Sequence, residues 1–325
     1  MNLQQRLLAL LADGRFHSGE ALGAALGVSR AAVWKQIRAL RDLGLELQGV
    51  RGRGYRCPRP LELLSADAVR AAVSDQGLAR LGGLEIHARV DSTNTHLQRR
   101  ALAGAPGGTA CLAESQLAGR GRRGRRWISP FGTNLYLSLL WRFSASPEGM
   151  SGLSLAVGVG VLRALRELGV EEVGLKWPND VLCCNAKVAG ILIDMAGESS
   201  GPGYAVIGVG LNLSMPRAAA AAIDQPWADL QGTLGATVSR NRLAGRLIDH
   251  LLAVTTTFQE TGLGAFMEDW RRYDLLAGRT VRVLLPDREV AGEAGGIDAT
   301  GALVLNAGGR THRFASGEVS LRAVP

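Results

Sequence analysis

Apolar residues recur at helical spacing three times within the first 45 positions. Leu3, Leu7, Leu8, Leu10 and Leu11 form one face, ended by Asp13-Gly14. Ser18, with Glu20 in the first turn, caps A-L-G-A-A-L-G, which Gly27 closes; Ser29 caps R-A-A-V-W-K-Q-I-R-A-L-R-D-L, ending at Gly44. In this third helix Val33, Ile37 and Leu40 share one side, while Ala31, Lys35 and Arg38 project from the other. L-E-L-Q-G-V, the turn R-G-R-G and Y-R then read as two short strands around a glycine tip that bears Arg51 and Arg53.

Helix, helix, turn, helix and basic hairpin is the order of a winged helix-turn-helix, in which the third helix suits the major groove. The candidate DNA contacts are Ser29, Arg30, Ala31, Lys35, Arg38, Arg51 and Arg53. The competing reading is a protein-docking domain whose charged face is only solvated.

Further on, helical and strand periods alternate. A strand over Leu84–Val90 meets a helix at D-S-T-N, 91–94. T-A-C-L-A-E-S and L-Y-L-S-L-L-W read as strands, and Leu153–Leu168 as an amphipathic helix. A short strand G-L-K-W stops at Pro178, where Asn179-Asp180 turn the chain. V-A-G-I-L-I is an apolar strand that would draw Lys187 inward, and A-V-I-G-V-G-L-N ends in Asn212. The alanine run 218–222 reads as a helix or its lead-in, and helices follow around Arg242–Phe258 and Leu263–Tyr273. From 277 on, short alternating strands separated by P-D, D-A-T-G and A-G-G-R predict a small β-barrel. The expected class is α+β, with domains at 1–62, 63–276 and 277–325.

Composition supports folded domains: of 325 residues, 46% are hydrophobic and 20% charged. The most apolar run, Leu153–Leu162, stops at Arg163, short of the roughly 20 residues that span a bilayer. The N-terminus lacks a basic start and a cleavage site, so a cytoplasmic protein is expected. Cys57, Cys111, Cys183 and Cys184 have no CxxC spacing and no histidine at ligand spacing, which predicts reduced thiols rather than a zinc site. The five histidines are scattered, with no nucleophile and base pair suggested. Net charge is +8, but residues 1–60 carry +6 and residues 119–127 carry +5. Two basic regions therefore sit on a mildly acidic body.

The second basic region, G-R-G-R-R-G-R-R-W, formally matches the G-x-G-x-x-G dinucleotide turn. That turn must open a helix, whereas here W-I-S-P-F-G-T and another strand follow, so the match is rejected. Arginine forks and close-approaching glycines suit phosphate oxygens instead.

Taken in order, D-S-T-N, G-R-G-R-R-G-R-R-W, K-W-P-N-D, K-V-A-G-I-L and I-G-V-G-L-N resemble the motif series of biotin protein ligases. The N-terminal domain makes the likeness that of the bifunctional ligase and biotin operon repressor type. It extends to R-G-R-G-Y at the wing and to S-G-E-V-S-L-R, where Ser316 replaces the usual first glycine. The resemblance implies a class II synthetase-like central domain, an SH3-like C-terminal barrel, and biotin and ATP as substrates with Mg2+. The partners it implies are a biotin carboxyl carrier protein, operator DNA and a ligand-promoted homodimer.

By the same resemblance Ser92, Thr93 and Asn94 contact the ureido ring, Gln116 makes a further biotin contact, and Arg120, Gly121 and Arg122 line the biotin chain and linking phosphate; Gly190 joins the biotin set. Lys187 pairs with the biotin carboxylate and then the acyl-phosphate, which makes Lys187, Arg120 and Arg122 the catalytic candidates. Arg122, Lys176, Asn179 and Asn212 are the nucleotide candidates, and Asp180 is the magnesium candidate. Trp127 stacks near adenine, braces the loop or is simply core. A biotin-sensing repressor without ligase activity, which predicts loss of Lys187, Arg120 or Arg122, and a lipoate ligase are the alternatives.

Overall fold

The computed structural model describes residues 3–42, 44–144, 150–197, 203–285, 288–315 and 320–323. At the N-terminus α1 (Leu3–Leu11), α2 (Gly19–Leu26) and α3 (Arg30–Asp42) close over Leu7, Leu11, Leu22, Val33, Ile37 and Leu40. Both expected caps form: Ser18 Oγ accepts from the Ala21 amide, and Ser29 Oγ from the Ala32 amide. Strands β1 (Gln48–Val50) and β2 (Gly54–Arg56) pair antiparallel as the wing. Tyr55 exchanges backbone hydrogen bonds with His17, which docks the wing on the turn before α2. Gly54 (φ 97°) permits this approach, because a Cβ there would overlap the His17 carbonyl.

The central region runs through α4 (Ala66–Arg70), α5 (Asp75–Arg80), β3 (Gly83–His87), α6 (Thr93–Leu102), β4 (Thr109–Ala113) and β5 (Leu135–Phe143). It continues with α7 (Leu153–Glu167), β6 (Val173–Lys176), β7 (Asp180–Cys183), β8 (Ala186–Gly197) and β9 (Gly203–Leu211). After these come α8 (Arg217–Ala220), α9 (Leu230–Leu234), α10 (Arg240–Thr261) and α11 (Met267–Tyr273). The sheet order is β3-β4-β5-β9-β8-β7-β6, parallel between β3 and β4 and antiparallel elsewhere. Helix α7 is apolar on nearly every side and is buried accordingly. Its Gly160 lets Val254 of α10 pack against the backbone.

Two boundaries differ from expectation. The strand expected to reach Val90 leaves the sheet after His87 and touches it again only at the Val90–Gln116 bridge. The helix expected over Leu263–Tyr273 opens as a 3-10 turn, Gly262–Phe266, where two glycines weaken helical propensity.

Strands β10 (Thr280–Leu284), β11 (Glu289–Ile297), β12 (Leu303–Ala307), β13 (Arg310–Phe314) and β14 (Ser320–Ala323) form an antiparallel sheet in the order β13-β12-β11-β10-β14. The expected turns at 286–287 and 316–319, the latter including Ser316, lie outside the described residues. This sheet joins the central core, where Trp177 Nε1 donates to Gly301 O at 3.1 Å. No helix among the described residues is long and apolar enough to cross a membrane.

The start of α10 ties the N-terminal linker to the sheet. Arg240 and Glu114 form a buried ion pair at 2.7 Å. Glu62 accepts from Ser239 Oγ, the Arg240 amide and Asn241 Nδ2. Burial alone would raise the Glu62 carboxyl, but these donors outweigh it and its pKa lies below the ordinary value. A carboxyl lowered on folding stabilises above its unfolded pKa, and the gain is lost as pH falls through the lowered folded value. Glu62→Gln is therefore expected to lower Tm at neutral pH, with the difference from wild type shrinking in acid; a difference that grows on acidification contradicts this.

Candidate functional site

Strands β8 and β9 present Gly190 and Gly210 as directly opposed residues. The Trp127 indole occupies the space that two side chains would fill, since a Cβ on either glycine would press into the ring. This ring forms part of the wall of a cavity of about 440 Å³. Every ligand residue expected from sequence lines it: Ser92, Thr93, Asn94, Gln116, Arg120, Gly121, Arg122, Trp127, Lys176, Asn179, Asp180, Lys187, Gly190 and Asn212. Trp127 both packs on this glycine pair and lies on the cavity wall.

A β-bulge sets the charge at its centre. Strands β7 and β8 turn through Cys184 and Asn185, both at positive φ (50° and 61°), the geometry of a two-residue primed hairpin. Asp180 pairs with Gly190 and Leu182 with Lys187, so β8 carries one extra residue between those pairs. Lys187 and Gly190, three apart, would otherwise point to opposite faces; the bulge puts both on the face of Asp180. Lys187 Nζ lies 2.6 Å from Asp180 Oδ1 and 5.4 Å from the Trp127 ring centroid. Both side chains of the pair are under a fifth exposed. Asp180 Oδ1 has this charged neighbour but no aligned hydrogen-bond donor.

A polar network builds one wall. Ser92 stands at the N-cap of α6, without a side-chain cap bond. Gln116 Oε1 accepts from the Thr93 amide at 2.9 Å and from its hydroxyl at 3.2 Å. Asn94 Nδ2 donates to Leu192 O (3.0 Å) and Asp194 Oδ2 (2.8 Å), and its side chain packs on Gly208. The buried Ser138 Oγ lies within hydrogen-bond distance of both Thr93 Oγ1 and Asn94 Oδ1.

The arginine-glycine run is a hairpin-like loop rather than an open coil. The Trp127 amide donates to Gly119 O, the Gly121 amide to Arg125 O, and Arg122–Gly124 make a 3-10 turn. Arg123 sits in the left-handed region at φ 57°, a strained position for a residue with a Cβ. Arg120 pairs with Asp194, linking the loop to the network under Asn94. Arg122 Nη1 donates to Asn179 Oδ1, and Asn179 Nδ2 in turn to Ile191 O. Burial pulls the Arg122 pKa down, partly opposed by Asp180, yet a guanidinium stays charged. Asn212 Nδ2 donates to Lys187 O and Ala228 O, bracing the strand that carries the lysine.

Sequence reasoning missed three supports. Ser138 sits in an apolar strand and carries no motif. Asp194 ends the K-V-A-G-I-L-I-D stretch, but nothing in the spacing pairs it with Arg120. Trp227 lines the cavity through a bridge to Lys187 across 40 residues of chain.

On the N-terminal domain Ser29, Arg30, Ala31, Lys35, Arg38, Arg51 and Arg53 are all exposed. Arg53 lies 4.2 Å from the Phe16 ring centroid. Trp34, 54% exposed on the same face of α3 and 5.8 Å from Arg38 at its ring centroid, was not singled out from sequence.

Fold and site together define a protein with a helix-turn-helix domain joined to a small-molecule site rich in cationic groups. The matched family models are an HTH domain over residues 3–56, the biotin/lipoate A/B protein ligase family over 86–212, and the biotin protein ligase C-terminal domain over 277–322. The chain is 43% identical to the bifunctional ligase/repressor BirA of Salmonella typhimurium, over 98% of this chain and 97% of that protein. It is 38% identical to the biotin--[acetyl-CoA-carboxylase] ligase of Mycobacterium tuberculosis, over 73% and 88% respectively. The biotin protein ligase from Aquifex aeolicus, solved in complex with biotin and ATP, superposes with a TM-score of 0.64 at 27% identity, covering 74% of this chain and 99% of that one. The chain belongs to the biotin protein ligase family, in its bifunctional ligase/repressor branch.

Because Gly210 gives the indole its room, Gly210→Ala is expected to displace the ring. The Trp127 Nε1–H resonance should shift while Tm stays within a few degrees of wild type. An unmoved resonance would remove the packing argument.

Proposed function

We propose that the chain activates biotin with ATP and transfers the acyl group to a lysine of a biotin carboxyl carrier protein. In the first step a biotin carboxylate oxygen bonds the α-phosphorus and pyrophosphate leaves. In the second the acceptor amine attacks the acyl carbon, loses a proton, and AMP leaves. Two anions must meet in the first step, and the observation that carries the reading is the largely buried Lys187 ammonium beside an arginine loop in one cavity. A preorganised cation in such a site is worth ~3 kcal/mol in the transition state.

In this reading Ser92 and Thr93 meet the ureido head and Gln116 makes a further biotin contact, while Asn94, its amide protons given to Leu192 O and Asp194, holds the wall. Arg120, Gly121 and Arg122 cover the acyl-phosphate and keep water from it, with Gly190 leaving room along the biotin chain. Trp127, Lys176, Asn179 and Asn212 serve the nucleotide. Mg2+, which binds through few carboxylates plus phosphate oxygens, would be held by Asp180 and would offset phosphate charge. The pairing with Lys187 leaves Asp180 Oδ1 without an aligned donor, which suits a carboxylate that exchanges partners.

The same protein, in the cytoplasm, acts as a biotin-dependent repressor. Ordering of the arginine loop by the adenylate favours a homodimer whose α3 helices and wings meet operator DNA. We place the domains at 1–62, 63–276 and 277–325.

The test is biotin-dependent exchange of pyrophosphate into ATP, together with DNA binding on the organism's own biotin-gene promoter. We expect exchange with biotin, and DNA affinity that rises with biotin plus ATP and falls steeply with salt. Absence of exchange ends the ligase reading, and salt-independent or absent DNA binding ends the repressor reading.

A further inference from the structure

At the β3 edge of the central sheet, outside the ligand cavity, three segments bring together side chains that the mechanism does not use. His87 lies on β3, Cys111 on β4 and His96 on α6, and their ligand atoms all fall within 4.8 Å of one another. Strand pairing accounts for the convergence. Glu85 and Cys111 are register partners on the parallel pair β3–β4, and His87, two residues on from Glu85, shares its face. Helix α6 lies over that face, with His96 in its first turn, and the His87 and His96 rings stand 4.6 Å apart.

The polar groups here are not fully used among themselves. His87 Nε2 is buried yet has no hydrogen-bond partner. Glu85 Oε2 lies 2.6 Å from His96 Nε2 and 3.6 Å from His87 Nε2, while its other oxygen accepts from Arg100 at 2.8 Å. Two imidazoles beside a thiol are a donor set for a borderline cation, and a neighbouring carboxylate both orients a ligating histidine and balances charge.

We propose that His87, His96 and Cys111 bind one Zn2+, with Glu85 as the charge-balancing carboxylate at its side. Each imidazole donates a ring lone pair and displaces water from the ion; Cys111 forms the S–Zn bond and releases its S–H proton to solvent. Thiolate and carboxylate set two negative charges against the dication, the carboxylate being shared with Arg100. His87 and His96 are a third and a fifth exposed, so the ion enters from the sheet edge. The bound ion staples β3, β4 and the first turn of α6 together. That turn also carries Thr93 and Asn94 of the cavity wall, so occupancy of the metal site would steady one side of the ligand pocket.

The experiment uses the full chain, stripped with a chelator and then titrated calorimetrically with Zn2+ alone, with Co2+ as spectroscopic probe. We expect one Zn2+ per chain, a rise in Tm, and a thiolate-to-cobalt charge-transfer band that Cys111→Ser abolishes. His87→Gln and His96→Gln should each weaken Zn2+ binding at least about tenfold. His87 is partly exposed at the sheet edge, so its variant should fold, which circular dichroism checks. Cys184→Ser, on the exposed cysteine of the β7–β8 turn, should change nothing. No stoichiometric binding by wild type, undiminished binding by both folded histidine variants, or binding lost in Cys184→Ser would each overturn the proposal.

Discussion

The site is organised around an ammonium and a carboxylate held together with little solvent between them, Lys187 against Asp180. Such a pair is costly to desolvate and persists only where the surrounding structure fixes it. Here the fixing is done by backbone: a bulge in β8 turns the lysine onto the carboxylate's face, and Asn212 holds the lysine's own carbonyl. The glycine pair below leaves room for the Trp127 indole, whose face lies toward the ammonium. In the proposed reaction the strands supply a frame that holds this one cation where both anions would meet it.

A second arrangement couples this frame to the arginine loop. Asp194 is shared between Asn94, on the wall expected to hold biotin, and Arg120, on the loop expected to cover it. Arg122 meets Asn179, on the side proposed to take the nucleotide. The loop is thus tied to both the Asn94 wall and Asn179, and moving it must alter contacts on both sides.

Much of this was legible in sequence, for identifiable reasons. Val33, Ile37 and Leu40 follow the helical period, so α3 and its basic face could be read directly. The motif series located most of the cavity's polar wall, because each motif lies on a strand of the central sheet or in the turn or helix start beside it. What escaped depends on contacts across the chain: Asp194 with Arg120, Ser138 beneath Thr93 and Asn94, and Trp227 against Lys187. Strand β3 ended early because a period-two pattern does not show where a sheet stops pairing. The histidines looked scattered because His87, His96 and Cys111 meet through parallel pairing and a crossing helix, which no linear ligand spacing encodes.

The central claim is that Lys187 lowers the barrier to joining two anions. Single-turnover formation of the adenylate by Lys187→Met, which keeps most of the side chain's bulk, tests it most directly. The account predicts a rate at least about a hundredfold slower than wild type, in line with loss of one preorganised cation, and a smaller loss in biotin affinity. A rate within about threefold of wild type, a difference of only ~0.7 kcal/mol, would contradict it.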